Sequence, residues 1–226
     1  MLHLKTYQKN IADCLDSSQS AISQEIARNS VDGVYDAKKA QELSDSRRIQ
    51  RDKPGLDRVS LSERPEAANT REEFGHLEMD FVLSIQGSTA CVLSGRERKT
   101  RYPFLIKLEN KSEAVTTESI KDNLVHEWTK SFTTDNDKSF VGHSIIKLMT
   151  GVPTFFTAPS SPHEKGAVEQ LNKELRVFYP KGRDFSSVTQ EDLDRVVANL
   201  RTAPMKCLNW LTPEEALAKE LAFDTS

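Results

Sequence analysis

From residue 75 onward the chain alternates short apolar runs with turn residues. Leu77 to Ile85, Ala90 to Leu93 and Tyr102 to Leu108 are broken at Gly87-Ser88 and Gly95-Arg96, which predicts an antiparallel meander of three strands. The period then changes. Ala114 to Trp128 carries apolar residues at 115, 120, 124, 125 and 128, close to helical spacing. Phe132-Thr133-Thr134 predicts a short strand ending at Asp135, Phe140 to Met149 a helix, Thr154 to Thr157 a strand, and the segment after Lys165 a helix. Two more helices are expected over Gln190 to Arg201 and Pro213 to Ala222, the latter starting with proline followed by Glu214 and Glu215. Strands alternating with helices predict an α/β class, a mixed sheet flanked by helices.

The N-terminal pattern is different. Apolar residues at 11, 12, 15, 22 and 26 fall on the inner faces of two short helices, and the Ser17-Ser18-Gln19-Ser20 run between them supplies a turn and an N-cap. This predicts a small all-α helix-turn-helix remnant over residues 1–35, with a plain helical hairpin as the alternative. Little chain precedes Ile11, so the usual supporting helix is expected to be curtailed. In a helix-turn-helix the second helix enters the major groove, which would place Gln19, Ser20, Ser23, Gln24 and Arg28 near bases or phosphates. Residues 36–74 are highly charged, and they read as a helix near Asp36 to Arg48 followed by an extended, solvated linker. The third region, 75–226, is the expected α/β core with C-terminal helices.

Composition adds boundaries. A chain of 226 residues with 37% hydrophobic and 29% charged residues can bury a sizeable core, and no apolar run approaches the roughly 18 residues that a membrane span needs. The opening residues lack a secretory pattern, so the cytoplasm is the expected location and no membrane partner is expected. Cys14, Cys91 and Cys207 form no C-x-x-C pair, which suggests neither a zinc site nor a disulfide framework. The formal net charge is −3, so any nucleic-acid contact must come from local clusters of positive charge.

Three acids stand out. Asp80 interrupts the apolar run Met79-Asp80-Phe81-Val82-Leu83, where alternation sends it to the face opposite Met79 and Phe81; a carboxylate in such a strand is costly unless paired or bound to a cation. Asp135 ends the next core strand, at the sheet edge where ligands bind. Glu169 lies in the helix after Lys165, which can deliver a third carboxylate to the same place. Three converging carboxylates suit two Mg²⁺ ions about 3.5–4 Å apart, which activate the attacking and stabilise the leaving oxygen of a phosphoryl transfer. Read one at a time, Glu169 and Asp135 are better explained as a solvated face and a turn residue, whereas Asp80, with its apolar flanks, is not. Lys173 and Arg176 lie four and seven residues beyond Glu169, on the same helical face, where they can hold phosphates; Asn172 faces nearly the same way. Asn136, His163 and Lys165 are further candidates at the rim.

A series of motifs occurs in order: Gly75-His76-Leu77-Glu78-Met79-Asp80, Glu97-Arg98-Lys99-Thr100-Arg101-Tyr102, Thr134-Asp135-Asn136, Ser161-Pro162-His163-Glu164-Lys165-Gly166 through Glu169 to Asn172, Tyr179-Pro180-Lys181-Gly182, and Lys206-Cys207-Leu208 through Thr212-Pro213-Glu214. Together they resemble the insertion sequence thirty family of bacterial transposases. The resemblance runs from about residue 57 to 217. It implies a ribonuclease-H-like integrase core with a D-D-E triad at Asp80, Asp135 and Glu169, the last two 34 positions apart. It also implies Mg²⁺, with Mn²⁺ as a substitute, and double-stranded DNA as partner: the terminal inverted repeats of an element and the target into which it is joined. A homo-oligomer associated with the bacterial nucleoid is implied as well. Where the family carries tryptophan-glutamate-glycine before the first aspartate, this chain has Leu77-Glu78-Met79, and Asn136-Asp137 replaces asparagine-glycine after the second. The segment after Ala40 is shorter than in the family. The sequence therefore leaves two readings: an active transposase, or a shortened relic that only binds DNA or interferes with assembly.

Overall fold

The computed structural model describes residues 2–30, 34–42, 58–158 and 165–224. The described residues fall into two compact units, one within 1–53 and the other within 54–226.

In the first unit, α1 (Leu2–Cys14) and α2 (Gln19–Asn29) are joined by a tight turn. Ser18 caps α2 by accepting a hydrogen bond from the backbone N–H of Ala21, as the Ser/Gln run predicts. The expected inner face is only partly internal. Ala12 is buried, but Ile11 is 41% and Leu15 65% exposed, because a contact between two short helices covers little more than the small residues at its centre. A helical stretch over 37–42 starts where Asp36 accepts the N–H of Lys39; the rest of the helix expected up to Arg48 lies outside the described residues.

The second unit is a six-stranded mixed sheet in the order β1-β6-β5-β2-β3-β4. The strands are β1 (Val59–Ser60), β2 (His76–Leu83), β3 (Cys91–Glu97), β4 (Pro103–Leu108), β5 (Ser131–Thr134) and β6 (Thr154–Phe156). β2, β3 and β4 form the predicted antiparallel meander, while β5, β6 and β1 add to β2 in parallel. The helices are α3 (Glu66–Thr70), α4 (Glu113–Leu124), α5 (His143–Thr150), α6 (Gly166–Phe178), α7 (Gln190–Arg201) and α8 (Pro213–Asp224).

Alternation along β2 sorts its side chains between two cores. Leu77 and Met79 join Leu93, Ile106, Phe132, Ile120, Leu124 and Ile146 beneath α4 and α5. Val82 joins Val92, Leu105, Leu171, Leu175, Leu193 and Val196 beneath α6 and α7. Residues 78, 80 and 82 share a strand face, so Glu78 and Asp80 point to the α6 side.

Three expectations are corrected. Gly95-Arg96 does not break the meander but lies inside β3, paired with Phe104 and Pro103. Leu124 packs over Gly95, and the buried Arg96 is satisfied by the Arg101 carbonyl and an ion pair with Glu174 on α6. The helix expected to reach Trp128 stops at Leu124, because Thr129 donates to the Leu124 carbonyl and accepts the N–H of His126. Finally, residues 58–74 are not an extended tether. Val59 and Ser60 pair with Phe155 and Phe156, Arg58 lies 4.7 Å over the Phe156 ring, and the buried Arg64 donates to Thr133 on β5. Two arginines thus pin a segment whose apolar content alone predicts no strand.

Candidate active site

Asp80 leaves β2 on the α6 side, half-way along the strand, and Asp135 follows immediately after the last residue of β5. β2 and β5 are parallel neighbours, with Glu78 opposite Thr133, so the two aspartates emerge side by side at one sheet edge. Among the described residues one cation joins them. The Lys165 ammonium lies 3.0 Å from Asp80 Oδ1 and 3.3 Å from Asp135 Oδ2.

The remaining carboxylate oxygens are held by neutral donors. Asn172 Nδ2 donates to Asp80 Oδ2 at 2.9 Å, and Ser94, directly across from Asp80 on β3, donates to Asn172 Oδ1 at 2.6 Å. On the other side the Asp137 N–H donates to Asp135 Oδ1 at 3.1 Å. Asp137 in turn anchors the loop. Burial alone would raise its carboxyl, but bonds from Lys111 and Ser139 outweigh burial and hold it below its ordinary value.

Glu169 lies in the first turn of α6, half-buried. The fold brings its helix against β2 and β3, yet among the described residues no three His, Cys, Asp or Glu side chains stand close enough to hold one metal ion. Asp80 and Asp135 therefore stand as a pair, which Glu169 does not join in this arrangement. In chemistry the pair fits a hard divalent ion: its oxygens are carboxylate and already share one cation.

The basic residues on α6 divide in two. Lys173 is exposed and, with Asn172, Phe81, Val82, Arg176 and Lys181, lines an open groove of about 400 Å³ beside Asp80. Arg176 lines the same groove, but its guanidinium is spent on backbone carbonyls, those of Leu83 at 2.9 Å and of Tyr179 and Pro180 at 3.4 Å. Helical spacing predicts that it shares a face with Glu169, but its bonds make it a brace for the Tyr179–Gly182 turn. That turn presents Lys181, a groove residue that helix periodicity did not reveal, because it lies beyond the end of α6. Asn136, expected at the rim, donates to the Thr157 carbonyl. His163 lies outside the described residues.

Glu78 is the other residue that motif reading passed over. It is fully buried, pairs with Arg98, and accepts the backbone N–H groups of Ala167 at 2.8 Å and Val168 at 3.0 Å. Its signal was present in the sequence as an acid two positions from Asp80, on the same strand face. In the N-terminal unit, Gln19, Ser20, Ser23, Gln24 and Arg28 are all exposed along α2.

No described helix is long and apolar enough to cross a membrane. No protein-family model matches the chain. Its similarity to individual proteins is clear. It is 33% identical over 172 residues to the transposase for insertion sequence element IS1086 of Cupriavidus metallidurans, covering 75% of this chain and 50% of that protein. It is 31% identical over 166 residues to the Escherichia coli transposase InsI for insertion sequence element IS30A, covering 72% and 43%. The Bacteroides fragilis transposase for IS4351 is 33% identical over 165 residues, covering 70% and 49%. The chain thus spans about half the length of these relatives. Among solved structures, the catalytic core domain of BIV integrase superposes with a TM-score of 0.53 at 14% identity, over 67% of this chain and 99% of that one. Over about 70% of its length the chain is thus similar in sequence to transposases of insertion sequence elements, and its sheet and helices share the fold of an integrase catalytic core.

Proposed function

We infer that this chain is a transposase that cuts DNA at the ends of an insertion element and joins the freed 3′ ends to a target, with Asp80, Asp135 and Glu169 as its catalytic carboxylates. The observation that carries this reading is the convergence of Asp80 and Asp135 on one cation at the edge of a sheet whose relatives are transposases. Magnesium or manganese, as two ions, would be held by Asp80 and Asp135 with Glu169 completing the set, and would supply Lewis-acid activation of the attacking oxygen and neutralisation of the leaving one.

The chain's own residues supply the rest. Asn172 and the Asp137 N–H fix the rotation of the two aspartates, so the carboxylates are oriented before the reaction begins. Lys173 and Lys181 line the groove beside Asp80, where they would hold the phosphates of the strand being cut. The exposed face of α2, with Gln19, Ser20, Ser23, Gln24 and Arg28, would read the terminal repeats; Lys165 works at the carboxylates themselves. Bringing two element ends together calls for a homo-oligomer.

The experiment incubates the purified chain with linear DNA carrying the element ends and Mg²⁺ or Mn²⁺. Cleavage and joining are expected, and D80N, D135N and E169Q should each abolish both. DNA binding without cleavage under any metal would replace this reading with a DNA-binding or assembly-interfering protein. Cleavage that ignores the element ends would point instead to a general nuclease.

A further inference from the structure

We propose that Lys165 is a resident counter-ion of the Asp80–Asp135 pair, which holds the carboxylates together before a divalent ion binds and is displaced when it does. This deepens the metal-dependent reading above and rests on it.

Each aspartate is built in the same way. One oxygen is given to a neutral donor of the scaffold, Asn172 for Asp80 and the Asp137 N–H for Asp135, and the other is turned to the Lys165 ammonium. The neutral bonds orient the carboxylates but cancel no charge. Without Lys165 the described residues would leave two negative groups facing one place with no positive charge between them, which is costly at a partly buried site. The lysine side chain is 8% exposed, against 25% for Asp80 and 44% for Asp135, so its charge is removed from water for this contact. The carboxylates stay reachable from solvent while their counter-ion does not.

Lys165 also lies at the start of α6, as the residue before Gly166. The N-terminal N–H groups of Ala167 and Val168 are taken by Glu78 rather than by the aspartates, so the positive end of the helix is used elsewhere. The ammonium is therefore the single full positive charge that the described residues place on both aspartates. A hard divalent ion prefers the same two oxygens, so ion and ammonium compete for one location. Metal binding is then coupled to release of Lys165, and removing the lysine must strengthen it.

The test measures Mn²⁺ binding to the full chain, without DNA, by calorimetry and by electron paramagnetic resonance of the free ion. K165Q is expected to bind Mn²⁺ about tenfold more tightly than the wild type, as removing a competing charge a few ångströms away predicts, while K165R, which keeps the charge, binds no more tightly. In EDTA the thermal midpoint of K165Q should fall, and Mn²⁺ should raise it by more than it raises that of the wild type. If K165Q unfolds in EDTA, its refolding at Mn²⁺ concentrations below those that half-saturate the wild type is the same result. Equal or weaker Mn²⁺ binding by K165Q overturns the proposal, as does equal tightening in K165R. The D80N variant separates the two levels: if it binds Mn²⁺ as well as the wild type, the metal site itself is misassigned. If it loses binding while K165Q is unchanged, only the counter-ion role fails.

Discussion

Glu78 accepts a hydrogen bond from the backbone N–H of Ala167 at 2.8 Å, so the strand that carries Asp80 caps the helix that carries Glu169. The same oxygen accepts the N–H of Val168, and the other is paired with Arg98. Arg98 continues inward to the Ala68 and Asn69 carbonyls of α3. A fully buried carboxylate thereby joins β2, α6 and the residues before the meander, two positions from the proposed catalytic aspartate.

Because Arg98 would be left charged and buried, E78A should destabilise the core unit by about 3–5 kcal/mol in urea unfolding. The double variant E78L/R98M should recover much of that loss, since it removes both charges together. A single-variant cost below about 0.5 kcal/mol would show that the pair does not hold the helix.

Arg176 and Lys181 should behave oppositely despite lining one groove. K181Q, like K173Q, should leave thermal stability unchanged and lower the slope of log affinity for a duplex oligonucleotide against log salt by about 1. R176Q should cost about 0.5–1.5 kcal/mol of stability, by removing the bonds to the Leu83, Tyr179 and Pro180 carbonyls. Any loss of DNA affinity in R176Q would follow the loosened turn. A salt slope unaltered in K181Q would remove Lys181 from the phosphate path.

The sequence made most of the sheet legible, because β2, β3 and β4 are apolar-rich runs set off by turn residues and β5 and β6 are short runs between segments of helical period. β1 was not legible: two residues carry no period, and what holds them is a pair of arginines bonded to β5 and to the loop after it. Asp80 was readable as a carboxylate without an apolar excuse. The pairing of Asp80 with Asp135 through Lys165 was not, since it depends on the Lys165 side chain reaching both carboxylates from the start of α6. Arg176 shows the limit of helical spacing, which aligns a side chain with Glu169 but does not reveal that backbone carbonyls claim it first.

Acid should weaken the core unit partly through His126. The His126 side chain is exposed on one side, but its packing against Trp128 at 4.8 Å and Phe104 partly desolvates the imidazole and lowers it from its ordinary value, with the bond to the Asn123 backbone opposing. The unfolded chain then takes up the proton first, near pH 6.5, so this contribution is complete above that pH and declines as pH falls towards the folded value. H126F keeps an aromatic ring against Trp128 and Phe104 but cannot titrate. Its urea midpoint should therefore vary less between pH 7 and pH 5 than that of the wild type. Some slope will remain, because burial also lowers His76, against the opposing bond to Glu73. An identical slope in H126F would exclude His126 as a source.

The N-terminal unit offers a test independent of the core. Gln24 and Arg28 lie one turn apart on the exposed face of α2, while Ser18 holds the start of that helix. If α2 is the helix that enters the groove, Q24A should relax preference among element-end sequences without changing the salt slope, because an amide reads base edges. R28A should weaken binding to all sequences alike and reduce the slope by about 1, as a phosphate contact does. Neither should alter thermal stability beyond about 0.5 kcal/mol at such exposed positions. S18A, by contrast, should cost about 1 kcal/mol of helix stability and weaken binding only in proportion to the α2 that unravels, which circular dichroism would follow. Should Q24A and R28A both leave binding, sequence preference and salt slope untouched while the core still cuts element ends, the unit is a helical hairpin and end recognition resides in the core.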